Sequence, residues 1–195
     1  MEAIASGKSW LSEIAGPVGL PTTSLSKYVR ELSDVFDIIE RQVPVTNGPV
    51  TSKKSRYKIR NPFITFWMRF VYRQLSLYEA GNYNYCIEKL DTYLAEFMGL
   101  AFEGIVKELL RTLNLRGEAP KPFHRIGRWW WHRGTEINLV ALNQETREAL
   151  FVECKWTNTP VNLKVLHELE DRSKQISINP ARCLRLLASK SGFSK

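Results

Sequence analysis

Between Gly134 and Trp156 the chain reads GTEINLVAL, then NQETRE, then ALFVECKW. Two alternating runs around a polar turn predict an antiparallel hairpin, because strand side chains repeat every second residue and this pairing buries both apolar sets. With Leu142 opposite Ala149, Asn138 falls opposite Glu153 and Glu136 opposite Lys155. One face of the hairpin then collects Glu136, Asn138, Glu153 and Lys155. Acidic and amide oxygens beside an ammonium suit a hard cation such as Mg²⁺, with the lysine free to orient water or to stabilise charge on a phosphate. A cross-strand Glu136–Lys155 salt bridge would use the same groups without a cation.

The flanks complete an α/β order of helix, hairpin, helix and strand. A helical pattern from Ile87 to Leu113 places Leu94, Phe97, Met98, Ala101, Phe102, Ile105, Val106 and Leu109 on one predicted buried side. Glu103 sits at the edge of that stripe, where a solvated helix-flank carboxylate is the plain reading. Leu163 to Ile176 reads as a surface helix and Cys183 to Ser189 as a further strand. In Trp129-Trp130-Trp131 a strand sends one ring to the opposite face from the other two, and core packing is the expectation for most of them.

The N-terminal third has a different pattern. Ser9 to Ala15 reads as a short helix and Gly16 to Pro21 as a turn. A second helix follows, capped by Thr22 or Thr23, in which Leu25, Tyr28, Val29 and Leu32 share one face while Ser24, Lys27, Arg30 and Glu31 occupy the other. Asp37 to Val45 and Arg56 to Ile59 read as strands joined by a segment containing Asn47-Gly48-Pro49. Two helices and a basic hairpin make a winged helix-turn-helix. In that fold Lys27 and Arg30 would face bases or phosphates of DNA, and Lys53, Lys54 and Arg56 would face phosphates. From Asn61 the run NPFITFWMRFVYRQLSLY puts Phe63, Phe66, Trp67, Phe70, Val71, Leu75 and Tyr78 on one helical face, the predicted core side. Glu79 to Tyr85 then reads as the linker between residues 1–80 and 81–195, with a hinge at Gly81.

Charge is concentrated. The chain carries 28 Lys and Arg against 20 Asp and Glu, a net +8, and residues 41–78 hold eight of the basic groups with no acidic one. That segment matches the net charge of the whole chain and points to a polyanionic partner. The three cysteines, Cys86, Cys154 and Cys183, are too scattered for a disulfide framework or a metal knuckle, and His124, His132 and His167 share no ligand spacing with them. The longest apolar stretch, Pro62 to Val71, falls short of the roughly 20 residues of a membrane span, and the N-terminus has no signal-peptide pattern. A cytoplasmic protein without membrane attachment is the expectation.

These residues resemble a family. Arg56 to Val71, Phe102-Glu103, Trp130-Trp131, Gly134 to Ala141, Glu153 to Trp156 and Ser189 to Phe193 look like the C-terminal region of archaeal and bacterial P-loop ATPases. That region is classed as a domain of unknown function and joins a winged helix to a restriction-endonuclease-like PD-(D/E)XK module. The resemblance implies an endonuclease-like α/β domain with Glu103 as the helix carboxylate, Glu153 as the metal-binding acid, Lys155 as the motif lysine, and Mg²⁺ or Mn²⁺ as cofactor. It also implies DNA and an ATPase domain or subunit as partners, with an active Mg²⁺-dependent DNA endonuclease and a protein-interaction module as the alternatives. One departure weighs most: where the family pattern reads EID, this chain has Glu136-Ile137-Asn138, which removes a formal charge from a hard-ion site. Glu136 is the substitute on offer, and an impaired nuclease site is expected. Nothing matches GxxxxGK[ST], so no nucleotide site is expected in this chain. Met1 falls near the start of the winged helix and family members continue past Gly192-Phe193. The chain therefore reads as the C-terminal part of such an ATPase, with an early stop at Ser194-Lys195.

Overall fold

Four strands, each paired with the next in chain order, organise the C-terminal half of this computed structural model, which describes residues 1–47, 55–131, 134–178 and 180–194. Strands β3 (Arg125–Trp131), β4 (Thr135–Asn143) and β5 (Glu148–Lys155) pair antiparallel, and β6 (Arg182–Ser189) joins β5 in parallel. The β4–β5 register sets Leu142 opposite Ala149, the pairing on which the face assignment from the sequence is conditioned, and the ladder ends at Leu139–Val152.

The protein is mixed α/β and divides into two units, Met1–Val43 with Ser52–Leu94, and Pro44–Thr51 with Ala95–Lys195. The division falls inside helix α6 (Tyr83–Leu115), four residues longer at its start than the periodicity predicts. In the first unit, α1 (Glu2–Ala5), α2 (Leu11–Val18) and α3 (Thr22–Asp34) enclose a core with the hairpin of β1 (Ile39–Gln42) and β2 (Arg56–Ile59). Helix α2 runs past Gly16 because its left-handed cap is Gly19, at φ 70°, whose N–H donates to the Ala15 and Gly16 carbonyls. Its start is fixed by Glu13, whose carboxylate accepts from the Ser9 and Trp10 N–H groups.

Three predicted core faces need correction. On α3, Leu25 and Val29 are buried, whereas Tyr28 is 53% exposed. The helical run after Asn61 is not one regular helix: α4 (Pro62–Phe66) passes into a π-helical stretch, Trp67–Val71, then a 3₁₀ turn, Tyr72–Gln74, then α5 (Leu75–Glu79). Each change of winding shifts the phase of the stripe. Ile64 and Met68 therefore pack on the core and Phe70 is buried, while Phe63, Trp67 and Tyr78 face solvent. On α6 the buried residues are Phe97, Val106 and Leu110, and Ile105 and Leu109 are exposed.

In the second unit the sheet is covered on both faces. Val106 and Leu110 of α6 pack with Phe123, Leu139, Ala141, Leu150 and Val152. On the other face, Leu169 of α7 (Leu163–Ser173) packs with Trp129, Ile137, Val140, Leu142 and Phe151. Trp129 and Trp130 are buried on opposite faces of β3, and Trp131, at the strand end, is 48% exposed. Among the described residues no helix is long and apolar enough to cross a membrane.

Candidate functional site

The polar centre of the second unit forms where β4 changes phase. Ile137 belongs to the α7-side cluster together with Val140 and Leu142, while Leu139 and Ala141 belong to the α6-side cluster. Strict alternation would put Ile137 with Leu139. The β3–β4 ladder carries an irregularity here, between Gly127 and Trp129, and a single-residue slip exchanges faces. Glu136 and Asn138 thereby turn toward α6. Strand β5 keeps its alternation, so Glu153 and Lys155 follow Ala149 and Phe151 toward α7. The four residues that simple alternation gathers on one face lie two on each.

On the α6 side, Asn138 joins two elements. Its Nδ2 donates to Glu103 Oε1 at 2.6 Å, and its Oδ1 accepts from the Cys154 N–H at 3.0 Å. The β4–β5 ladder ends at Leu139–Val152, so the side-chain amide continues the pairing that the backbone gives up. Arg128 Nη2 completes this half, 3.0 Å from Glu103 Oε2 and 3.7 Å from Glu136 Oε1.

On the α7 side, Glu153 is only 4% exposed and has a cation at each oxygen: Lys155 Nζ is 2.8 Å from Oε1 and Arg172 Nη2 is 3.0 Å from Oε2. The Arg172 contact lies off the line of a hydrogen bond and is ionic in character. Arg172 Nη1 also donates to the Glu136 carbonyl at 3.0 Å, so one guanidinium ties α7 to both β4 and β5. The Glu136–Lys155 pair open in the sequence is replaced by Glu136–Arg128 and Glu153–Lys155.

Among the described residues the centre sets three carboxylates, Glu103, Glu136 and Glu153, against three cations, Arg128, Lys155 and Arg172. A Mg²⁺ or Mn²⁺ site needs several oxygens converging on one point with lone pairs to give. Here Glu103 Oε1 accepts from Asn138 and Oε2 faces Arg128, both oxygens of Glu153 face cations on the opposite side of the sheet, and Asn138 Oδ1 is held by the backbone. This donor set does not fit a hard cation. Among the described residues no group of three or more His, Cys, Asp or Glu side chains is arranged to hold a metal.

Sequence reasoning missed Arg128 and Arg172. The available signal was a charged residue inside an apolar strand run and an arginine in the last turn of an amphipathic helix. Cys154, which carries the amide donor to Asn138, is buried on the α6 side, and its thiol is pushed up to about 12, by burial first and then by the Glu103 and Glu153 carboxylates. A thiol reagent at pH 8 should therefore label exposed Cys183 in the native protein and Cys154 only after denaturation. Peptide mass analysis reads the order, and equal native labelling of the two would contradict it.

In the first unit, Lys27 and Arg30 are exposed on α3, opposite Leu25 and Val29, with no side-chain partner among the described residues. Arg56 is half-buried on β2 with its guanidinium 5.0 Å from the centre of the Trp10 ring. Lys53 and Lys54 lie outside the described residues.

Two units, one with Lys27 and Arg30 exposed on a helix and one with a polar centre of paired charges, define a mixed α/β protein. Residues 67–172 match the model of the DUF234 family, archaeal and bacterial proteins of unknown function; the match spans more than half of the chain, which belongs to that family. An uncharacterized protein of Methanocaldococcus jannaschii is 39% identical over 181 residues, which cover 92% of this chain and 40% of that protein. The chain thus corresponds to less than half of its relative's length. No solved structure matches.

Proposed function

We propose that the chain is a DNA-binding protein in which a winged helix-turn-helix contacts duplex DNA and an endonuclease-like second unit serves as a non-hydrolytic scaffold, in the company of an ATPase domain or subunit. The observation that carries the binding reading is the exposed face of α3. Lys27 and Arg30 are one turn apart, solvated, and set opposite the buried Leu25 and Val29, and no acidic residue occupies the first turn. A helix presented this way by a hairpin offers phosphate and base-edge contacts to a major groove. The scaffold reading is supported by the neutralised carboxylates of the second unit, and the ATPase partner by the family resemblance of the sequence.

Anisotropy titration of a labelled duplex should show affinity falling steeply with salt. Lys27→Ala with Arg30→Ala should weaken binding on the order of tenfold and reduce the log–log salt slope by about 2. Absence of binding at low salt, or an unchanged slope in the double variant, would remove the reading.

A further inference from the structure

Asn138 is the one side chain of the centre that must be an amide. Its two ends meet opposite kinds of group: Oδ1 faces a donor, the Cys154 N–H, and Nδ2 faces an acceptor, Glu103 Oε1. A carboxylate at 138 could accept from Cys154, but its second oxygen would meet the Glu103 carboxylate at about hydrogen-bond distance, with no proton between them. Such a pair of like charges is tolerated only when a proton or a cation is shared. Among the described residues the cation beside this pair is Arg128, whose Nη2 faces Glu103 Oε2 and Glu136 Oε1, on the far side of Glu103 from the oxygen that Asn138 meets.

We infer that Asn138 is a cation-replacing lock: its amide N–H bridges α6 to the β4–β5 strand pair where a divalent ion would otherwise be required, and so makes the folded second unit indifferent to divalent cations. This rests on the endonuclease-like reading of that unit only for the expectation of a metal. The two hydrogen bonds that define the lock exist without it. The lock is local to the α6 side, because Glu153 on the α7 side is separately neutralised by Lys155 and Arg172. Converting the amide to an acid therefore leaves the second half of the centre intact and creates a three-carboxylate cluster, residues 103, 136 and 138, on one face.

The test is thermal unfolding of the full chain at pH 8, in EDTA and in millimolar Mg²⁺ or Mn²⁺. Wild type should melt at the same temperature in all three. Asn138→Asp should melt about 5–10 °C lower in EDTA and regain much of that difference in Mn²⁺, because an ion bound by the folded state alone raises its stability. Adding Glu103→Gln to Asn138→Asp supplies an amide from the other side of the same bond and should restore the melting temperature in EDTA while abolishing the Mn²⁺ response. That double variant also decides the case in which Asn138→Asp alone does not fold: recovery supports the lock, and failure to recover overturns it. The inference also falls if wild type is stabilised by either ion, if Asn138→Asp is as stable as wild type in EDTA, or if Mn²⁺ leaves that variant unchanged. None of these readings involves DNA, so loss of the DNA-binding reading would leave the lock standing, and the reverse holds as well.

Discussion

Arg172→Met should lower the stability of the second unit by about 3 kcal/mol at neutral pH, the low end of what removing one partner of a buried ion pair costs. The figure is kept low because Glu153 retains Lys155 at 2.8 Å. It is not negligible, because Glu153 is 4% exposed and Arg172 also donates to the Glu136 carbonyl. The loss is the penalty of a buried carboxylate with too little compensation, so Glu153→Gln added to Arg172→Met should recover a good part of it. Urea unfolding midpoints measure both variants. A single variant within about 0.5 kcal/mol of wild type, the range of ordinary surface changes, would show that Arg172 does not hold the strands, and a double variant no better than the single would show that charge is not the reason.

Phe151→Ala should cost about 3–5 kcal/mol. Phe151 is 1% exposed on central strand β5 and packs in the cluster that includes Trp129, Val140 and Leu169, so truncation leaves a cavity between sheet and α7 that rigid neighbours on both sides cannot fill. That is a large share of the ~5–15 kcal/mol that holds a typical domain folded. Ile105→Ala offers the contrast. The apolar stripe of α6 makes Ile105 look like core, but it is 63% exposed, and its truncation should stay within about 0.5 kcal/mol. Comparable losses for the two substitutions would mean that the face of α6 turned to the sheet is the one the stripe predicts, not the one found.

The β4–β5 hairpin was legible to within a residue at each strand end, because a polar turn separates two runs of known period, and the pairing of Leu142 with Ala149 was one it allowed. The phase of β4 was not. Alternation is visible from Glu136 to Asn138, but the run Leu139-Val140-Ala141-Leu142 is apolar on both faces because helices cover both sides of the sheet, so no polar–apolar contrast marks the bulge there. The π-helical stretch after α4 was hidden for a related reason. Its aromatic residues are dense enough to satisfy a regular helical stripe, and only packing of Ile64 and Met68 on the first core reveals the change of winding.

Taken alone, the sequence determined the mixed α/β class, the hairpin, the helix carrying Lys27 and Arg30, and the acid-free basic segment 41–78, because each depends on side chains close together in the chain. What those charges do was decided by tertiary structure. Arg60 pairs with Asp37 and Glu40, Arg73 with Ser6 and Glu2, and Arg69 stacks on Phe70 and Tyr93, so part of the basic segment is engaged by the acidic and aromatic residues around it instead of being free for a partner. The same holds for the polar centre: its residue types were readable, but the faces they occupy and the arginines that neutralise them were not. Face selection and ion pairing join elements tens of residues apart, and local periodicity carries no information over that distance.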